Sequence, residues 1–112
     1  MPRTKKVVGR IGLYVVDAAI GEPHELLNED GDELAGQAIP AENGGLHLRL
    51  SPELSAIEFV DALLHEVDHA ISQIYKLDED HNIVHVRATA LTQWLIEAGL
   101  IDPEKIRRAF GK

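Results

Sequence analysis

The chain has 112 residues, 45% of them hydrophobic, and a net charge of −8 from 19 acidic against 11 basic side chains. That length is one domain, residues 1–112, and the acidic balance excludes nucleic-acid or anionic-membrane binding, which draws its affinity from Lys and Arg. Cysteine is absent, so disulfides and thiolate metal sites are excluded, and any metal must be held by His, Asp, Glu and water.

Only Phe59, Phe110, Trp94, Tyr14 and Tyr75 are aromatic, so aliphatic packing has to carry the core. Basic residues gather at the two ends (Arg3, Lys5, Lys6 and Arg10; Lys105, Arg107, Arg108 and Lys112) and read as solvated termini. The apolar stretch within residues 1–20 is broken by Gly9, Arg10 and Gly12, which makes a poor signal peptide, and no run approaches transmembrane length. A soluble, cytoplasmic protein is the expectation.

In chain order, residues 6–18 are rich in Val, Ile and Tyr and predict one or two strands around Gly9 and Gly12. The Gly9-Arg10-Ile11-Gly12 pattern is too short for a phosphate loop and fits strand ends or a bulge. Residues 21–45 are acidic, glycine-rich and weakly periodic, and predict a long exposed loop with a short helical turn near His24–Leu27. Asn43-Gly44-Gly45 is a turn signal. Leu46-His47-Leu48-Arg49-Leu50 then alternates strictly, predicting a half-buried strand with the leucines inward and His47 and Arg49 outward.

Ser55 and Glu58 form a capping-box pattern that opens a helix over about 56–75, with an apolar stripe of Val60, Leu64, Val67, Ile71 and Ile74. A loop leads to a second helix over about 81–98, striped by Val84, Ala88, Leu91, Leu95 and Ala98 and stopped by Gly99. Asp102-Pro103 starts a short last helix. The fold class is α+β, a small N-terminal β-sheet packed on the first of these helices and followed by the second.

The first helix carries His65-Glu66-Val67-Asp68-His69. At about 100° per residue the two histidines lie one turn apart, within roughly 40° on the helix surface, off the apolar stripe. Two imidazoles so placed can meet one zinc ion at about 2.0–2.1 Å each. Glu66 lies beside the ion without taking a coordination position, where a general base for water must stand. A catalytic site needs a third protein ligand and an open position. His81, its i+4 partner His85, and Asp80 are the candidates. No nucleophilic-serine or P-loop pattern offers a second enzymatic reading.

The strand 46–50, the helix with its His-Glu-x-x-His run and the downstream helix together resemble small zincin metallopeptidase-like proteins of phages and bacteria, similar in outline to ImmA/IrrE and SprT-like domains. The resemblance covers residues 46–98. It implies a zinc hydrolase that cleaves peptide bonds in a peptide or protein substrate, with His65 and His69 as ligands and Glu66 as base. By position His81 is the implied third ligand, and His85 a supporting partner or replacement. The resemblance also implies that the strand before the motif helix borders the cleft and pairs with an extended substrate. Two positions depart from the pattern: Asp68 stands where relatives carry a small or apolar residue, and no Glu fills the third-ligand position.

Candidates for an oxyanion donor are His85, His47, Tyr75 and Arg49. The rival reading is a non-enzymatic, zinc-stabilised protein-binding module, in which all four histidines (65, 69, 81 and 85) close the coordination sphere and the acidic region 21–42 binds a partner protein.

Overall fold

The computed structural model describes residues 5–78 and 80–111; Arg3 and Lys112 of the basic ends lie outside them. The fold is α+β: a four-stranded mixed sheet is followed by three helices. Strands β1 (Val7–Ile11) and β2 (Tyr14–Ile20) form an antiparallel hairpin. Its two-residue turn starts at Gly12 with φ of 60°, a conformation glycine adopts freely. β4 (Leu46–Leu50) lies parallel to β2 and antiparallel to β3 (Gly36–Pro40), giving the order β1-β2-β4-β3.

β3 corrects the expectation of a continuous loop over 21–45. Gly36-Gln37-Ala38-Ile39-Pro40 has little strand character of its own, and pairing with β4 supplies the backbone partners that local sequence does not demand. A 3-10 turn at Pro23–Leu26 matches the expected helical turn, and it buries Leu26.

The alternation of β4 is realised, with Leu46, Leu48 and Leu50 fully buried. Its other face is not solvated as expected. Arg49 is 8% exposed and donates through Nη1 to Asp17 of β2 at 2.7 Å and to the Leu48 carbonyl at 2.9 Å. Its Nε lies 3.4 Å from Glu25, which ties the 3-10 turn onto the outer face of the sheet. His47 Nδ1 takes the second Asp17 oxygen at 2.5 Å. Burial alone would raise the Asp17 carboxyl, but hydrogen bonds from Arg49 and His47 outweigh it and hold the group below its usual value.

Helix α1 (Ala56–Ile74) opens with the predicted reciprocal cap: Ser55 Oγ accepts from the Glu58 N–H, and Glu58 accepts from the Ser55 N–H. Its face toward the sheet is centred on Phe59, Leu63 and Ala70 instead of Leu64 and Ile71, and it joins Val16, Ala18, the three β4 leucines and Phe110 in the main core. Val60 is buried outside that cluster, as are Val84 and Ala88 of helix α2 (His81–Glu97), so the seam between the two helices is a second, smaller apolar contact. On α2 the buried positions run Val84, Ala88, Thr92; Leu91, placed in the stripe by sequence, is 49% exposed. Helix α3 (Pro103–Ala109) starts at the Asp102 cap. It is followed by Phe110, whose ring meets Phe59 edge-on at 4.9 Å. Arg107 is not merely solvated, since its guanidinium lies 4.9 Å from the centre of the Phe59 ring.

The turn between α1 and α2 sets where His81 falls. α1 ends in a Schellman-type turn: the Leu77 N–H reaches the Ser72 carbonyl at 2.8 Å, with Lys76 at φ 56°. A lysine in the left-handed region is strained where glycine would not be. Lys76→Gly should therefore raise stability by about 0.5–1 kcal/mol, read from urea unfolding; an unchanged or lower midpoint would contradict this account of the turn.

Candidate metal centre

α1 is the helix that everything else surrounds. One side faces the sheet, and another faces α2, where Arg87 and Thr89 bond to Asp68 and Asp61. The remaining side carries His65 and His69, half-buried, into a cleft between α2 and the edge strand β3. The cleft encloses about 770 Å³ and is lined by Gly36, Gln37 and Ala38 of β3, by His65, Glu66 and His69 of α1, and by His81 and His85 of α2.

Three of the four sequence-predicted histidines converge. The ligand nitrogens of His65, His69 and His81 all lie within 4.8 Å of one another. His65 Nε2 and His69 Nε2 are 2.9 Å apart, so one ring donates to the other. The His81 ring stacks on His69 with centroids 4.9 Å apart and stands edge-on to His65 at 5.1 Å. A tetrahedral zinc ion separates its ligand nitrogens by roughly 3.3 Å, given bonds of about 2.0–2.1 Å. The three rings therefore need only small rotations to surround one ion. Their donor set, three neutral imidazoles, suits zinc without any carboxylate.

His85 sits beside His65, with ring centroids 5.6 Å apart, but outside the converging set. Asp80 is the α2 cap, its carboxylate accepting from the Asn82 N–H at 2.7 Å, and it does not join the group. Of the other side chains considered as oxyanion donors, His47 and Arg49 lie on the opposite face of the sheet, bound to Asp17. Tyr75 points its hydroxyl toward Gly12 in the β1–β2 turn and does not line the cleft. His85 is the one of the four that faces it.

Electrostatics favour neutral rings. Burial lowers the His65 pKa below 6.5, and the rings of His69, His81 and His85 push the same way, partly offset by Asp61. His69 is lowered by burial and then by His81, against Asp68. A neutral imidazole is the form that binds metal, so burial keeps both α1 histidines in the form a metal would need at neutral pH.

Glu66 is 8% exposed, and burial pushes its carboxyl up to about 7. It stands on the flank of α1 that turns from the core into the cleft. Gly36 is what gives it room: a Cβ at position 36 would fall 3.0 Å from Glu66 Cγ and 3.2 Å from Oε2. No sequence signal marked Gly36, Gln37 or Leu34 as cleft residues, because their role follows from β3 being the edge strand. β4, which was expected to border the cleft, is paired on both sides and has no free edge to offer. No helix among the described residues is long and apolar enough to cross a membrane. Comparison with protein-family models, with curated proteins and with solved structures finds no match for this chain.

Two expectations follow. A carboxyl raised from 4.5 to about 7 on folding contributes stability that is whole at acid pH and lost as the pH rises through about 7. In chelator, Glu66→Gln should therefore stabilise the metal-free protein by about 2 kcal/mol at pH 8 and by little at pH 5; urea unfolding at the two pH values would show whether the gain grows with pH. Gly36→Ala should leave zinc stoichiometry unchanged while displacing the Glu66 carboxylate. Any peptide hydrolysis should then fall at least about tenfold, as expected for a misplaced proton acceptor.

Proposed function

We propose that this protein is a minimal zincin-type, zinc-dependent peptidase acting in the cytoplasm. The observation that carries this reading is the convergence of His65, His69 and His81 in one cleft with the buried carboxyl of Glu66. When bound by the three imidazoles, zinc supplies Lewis acidity toward a carbonyl oxygen and lowers the pKa of water.

The chain's own residues supply the rest. Glu66 accepts the proton of the attacking water and returns it to the leaving amine, a role suited to a carboxyl whose pKa lies near neutrality. Gly36, Gln37 and Ala38 line the cleft on the free edge of β3, where an extended peptide can add as a fifth strand. His85, facing the same cleft without joining the converging set, is the donor placed to stabilise developing oxyanion charge. A closed four-histidine staple would need His85 as a ligand, and its place outside the converging set supports the open, catalytic arrangement instead.

The test is zinc stoichiometry together with cleavage of a broad peptide panel. Wild type should bind one zinc and hydrolyse peptides. Glu66→Gln should keep the zinc and lose at least about a hundredfold in rate, and His81→Ala should bind zinc more weakly and lose the hydrolysis. A zinc-loaded wild type that cleaves nothing would turn the reading into that of a binding module, and a chain that takes up no zinc would end it.

A further inference from the structure

Asp68 is the residue of the His-Glu-x-x-His run that the metal reading leaves without a role. It does not face the cleft. Both its oxygens are taken by Arg87 of α2, with Nε to Oδ2 at 2.7 Å and Nη2 to Oδ1 at 2.7 Å, a planar two-bond fork on a side chain only 13% exposed. One turn before His65, Asp61 makes a second tie to α2, accepting from Thr89 Oγ1 at 3.1 Å. Beside these ties, Val60 of α1 and Val84 and Ala88 of α2 are small apolar side chains buried outside the main core.

That division matters because apolar burial has no preferred direction. A seam of Val and Ala tolerates sliding and rotation, whereas a slip of one residue on α2 is about 1.5 Å of translation and 100° of turn. Such a slip would take His81 away from the nitrogens of His65 and His69. A bidentate Arg–carboxylate pair fixes both distance and plane. Arg87 is six residues after His81 and two after His85 on the same rigid helix.

We propose that Asp68 and Arg87 are positioning residues for the third ligand: their fork locks α2 in the register that brings His81 to the α1 pair. The proposal rests on the metal reading above and goes beyond it, in giving the ligand run a second output, one face for the ion and one for the helix that completes its coordination.

The test measures zinc affinity by chelator competition, and ligand number by the visible spectrum of the cobalt-substituted protein. Wild type, Asp68→Asn, Arg87→Lys, His81→Ala and the double variant Asp68→Asn with His81→Ala are compared, with far-UV circular dichroism as the check on folding. Asp68→Asn should weaken zinc about 10–100-fold and shift the cobalt spectrum toward that of His81→Ala. Arg87→Lys, which keeps the charge but loses the fork and is the gentler change should Asp68→Asn not fold, should weaken zinc by a smaller factor. In the His81→Ala background Asp68→Asn should cost less than about twofold, because the ligand it positions is gone. Wild-type affinity in both single variants, or an undiminished loss in the His81→Ala background, would overturn the positioning role while leaving the metal reading intact. A wild-type chain that binds no zinc would overturn both.

Discussion

An α-helix offers its neighbours a single cylinder, and here α1 has to satisfy three of them at once. Phe59, Leu63 and Ala70 must leave water against the sheet, while Val60, Asp61 and Asp68 meet α2. With 3.6 residues per turn, the arc between those two contacts opens into the cleft, and His65 and His69 fall on it in line with Asp61, where His81 and His85 of α2 reach them. Glu66, between them in sequence, falls a third of a turn away on the margin of the core. That placement removes its carboxyl from water but leaves it facing the cleft, so the same geometry that gathers the imidazoles raises the Glu66 pKa.

The walls of the cleft obey the same constraint. On one side α2 is held by two polar ties and a narrow apolar seam, and on the other the edge strand β3 approaches so closely that a Cβ at residue 36 would crowd Glu66 and Leu50. The α2 wall takes no part in the main core, whereas Ala38 of the β3 wall packs against it. The sheet behind them is stiffened from its outer face, where Arg49, Asp17 and Glu25 clamp the segment that leads into β3. A buried guanidinium with several acceptors is costly to leave unpaired, so this clamp fixes the path of the 21–35 segment, although none of its members reaches the cleft.

Much of this was legible in the sequence because local chemistry agreed with the final fold. The Ser55–Glu58 box, the Asp102-Pro103 start, the alternation of 46–50 and the i, i+4 histidine pairs each describe a short stretch whose neighbours do not alter its conformation. The failures share one cause. β3 has a strand's partner but not a strand's composition, so its existence is decided by β4 and not by its own residues. Arg49 points outward as its register requires, yet its end of the outer face is covered, a fact carried by the 3-10 segment some 25 residues away. The apolar residues of α1 predict one arc centred near Leu64 and Ile71. It is two arcs, one toward the sheet and one toward α2, and periodicity alone merges them. Asp80 was a ligand candidate by position, but its carboxylate closes the first turn of α2.

A free strand edge beside a cleft carries a hazard as well as a use. Any such edge is a template for pairing with other sheets, and proteins blunt theirs by shortness, by charge and by proline. β3 has five residues and ends at Pro40, which has no N–H to donate, and β1 at the opposite edge is equally short with Arg10 in its run. The sheet thus resists growing into an aggregate while leaving a stretch of backbone from Gly36 to Ile39 open to pairing. Strand pairing at that edge can engage only a few residues of backbone at a time, so whatever adds there must be held by the cleft as well as by the ladder.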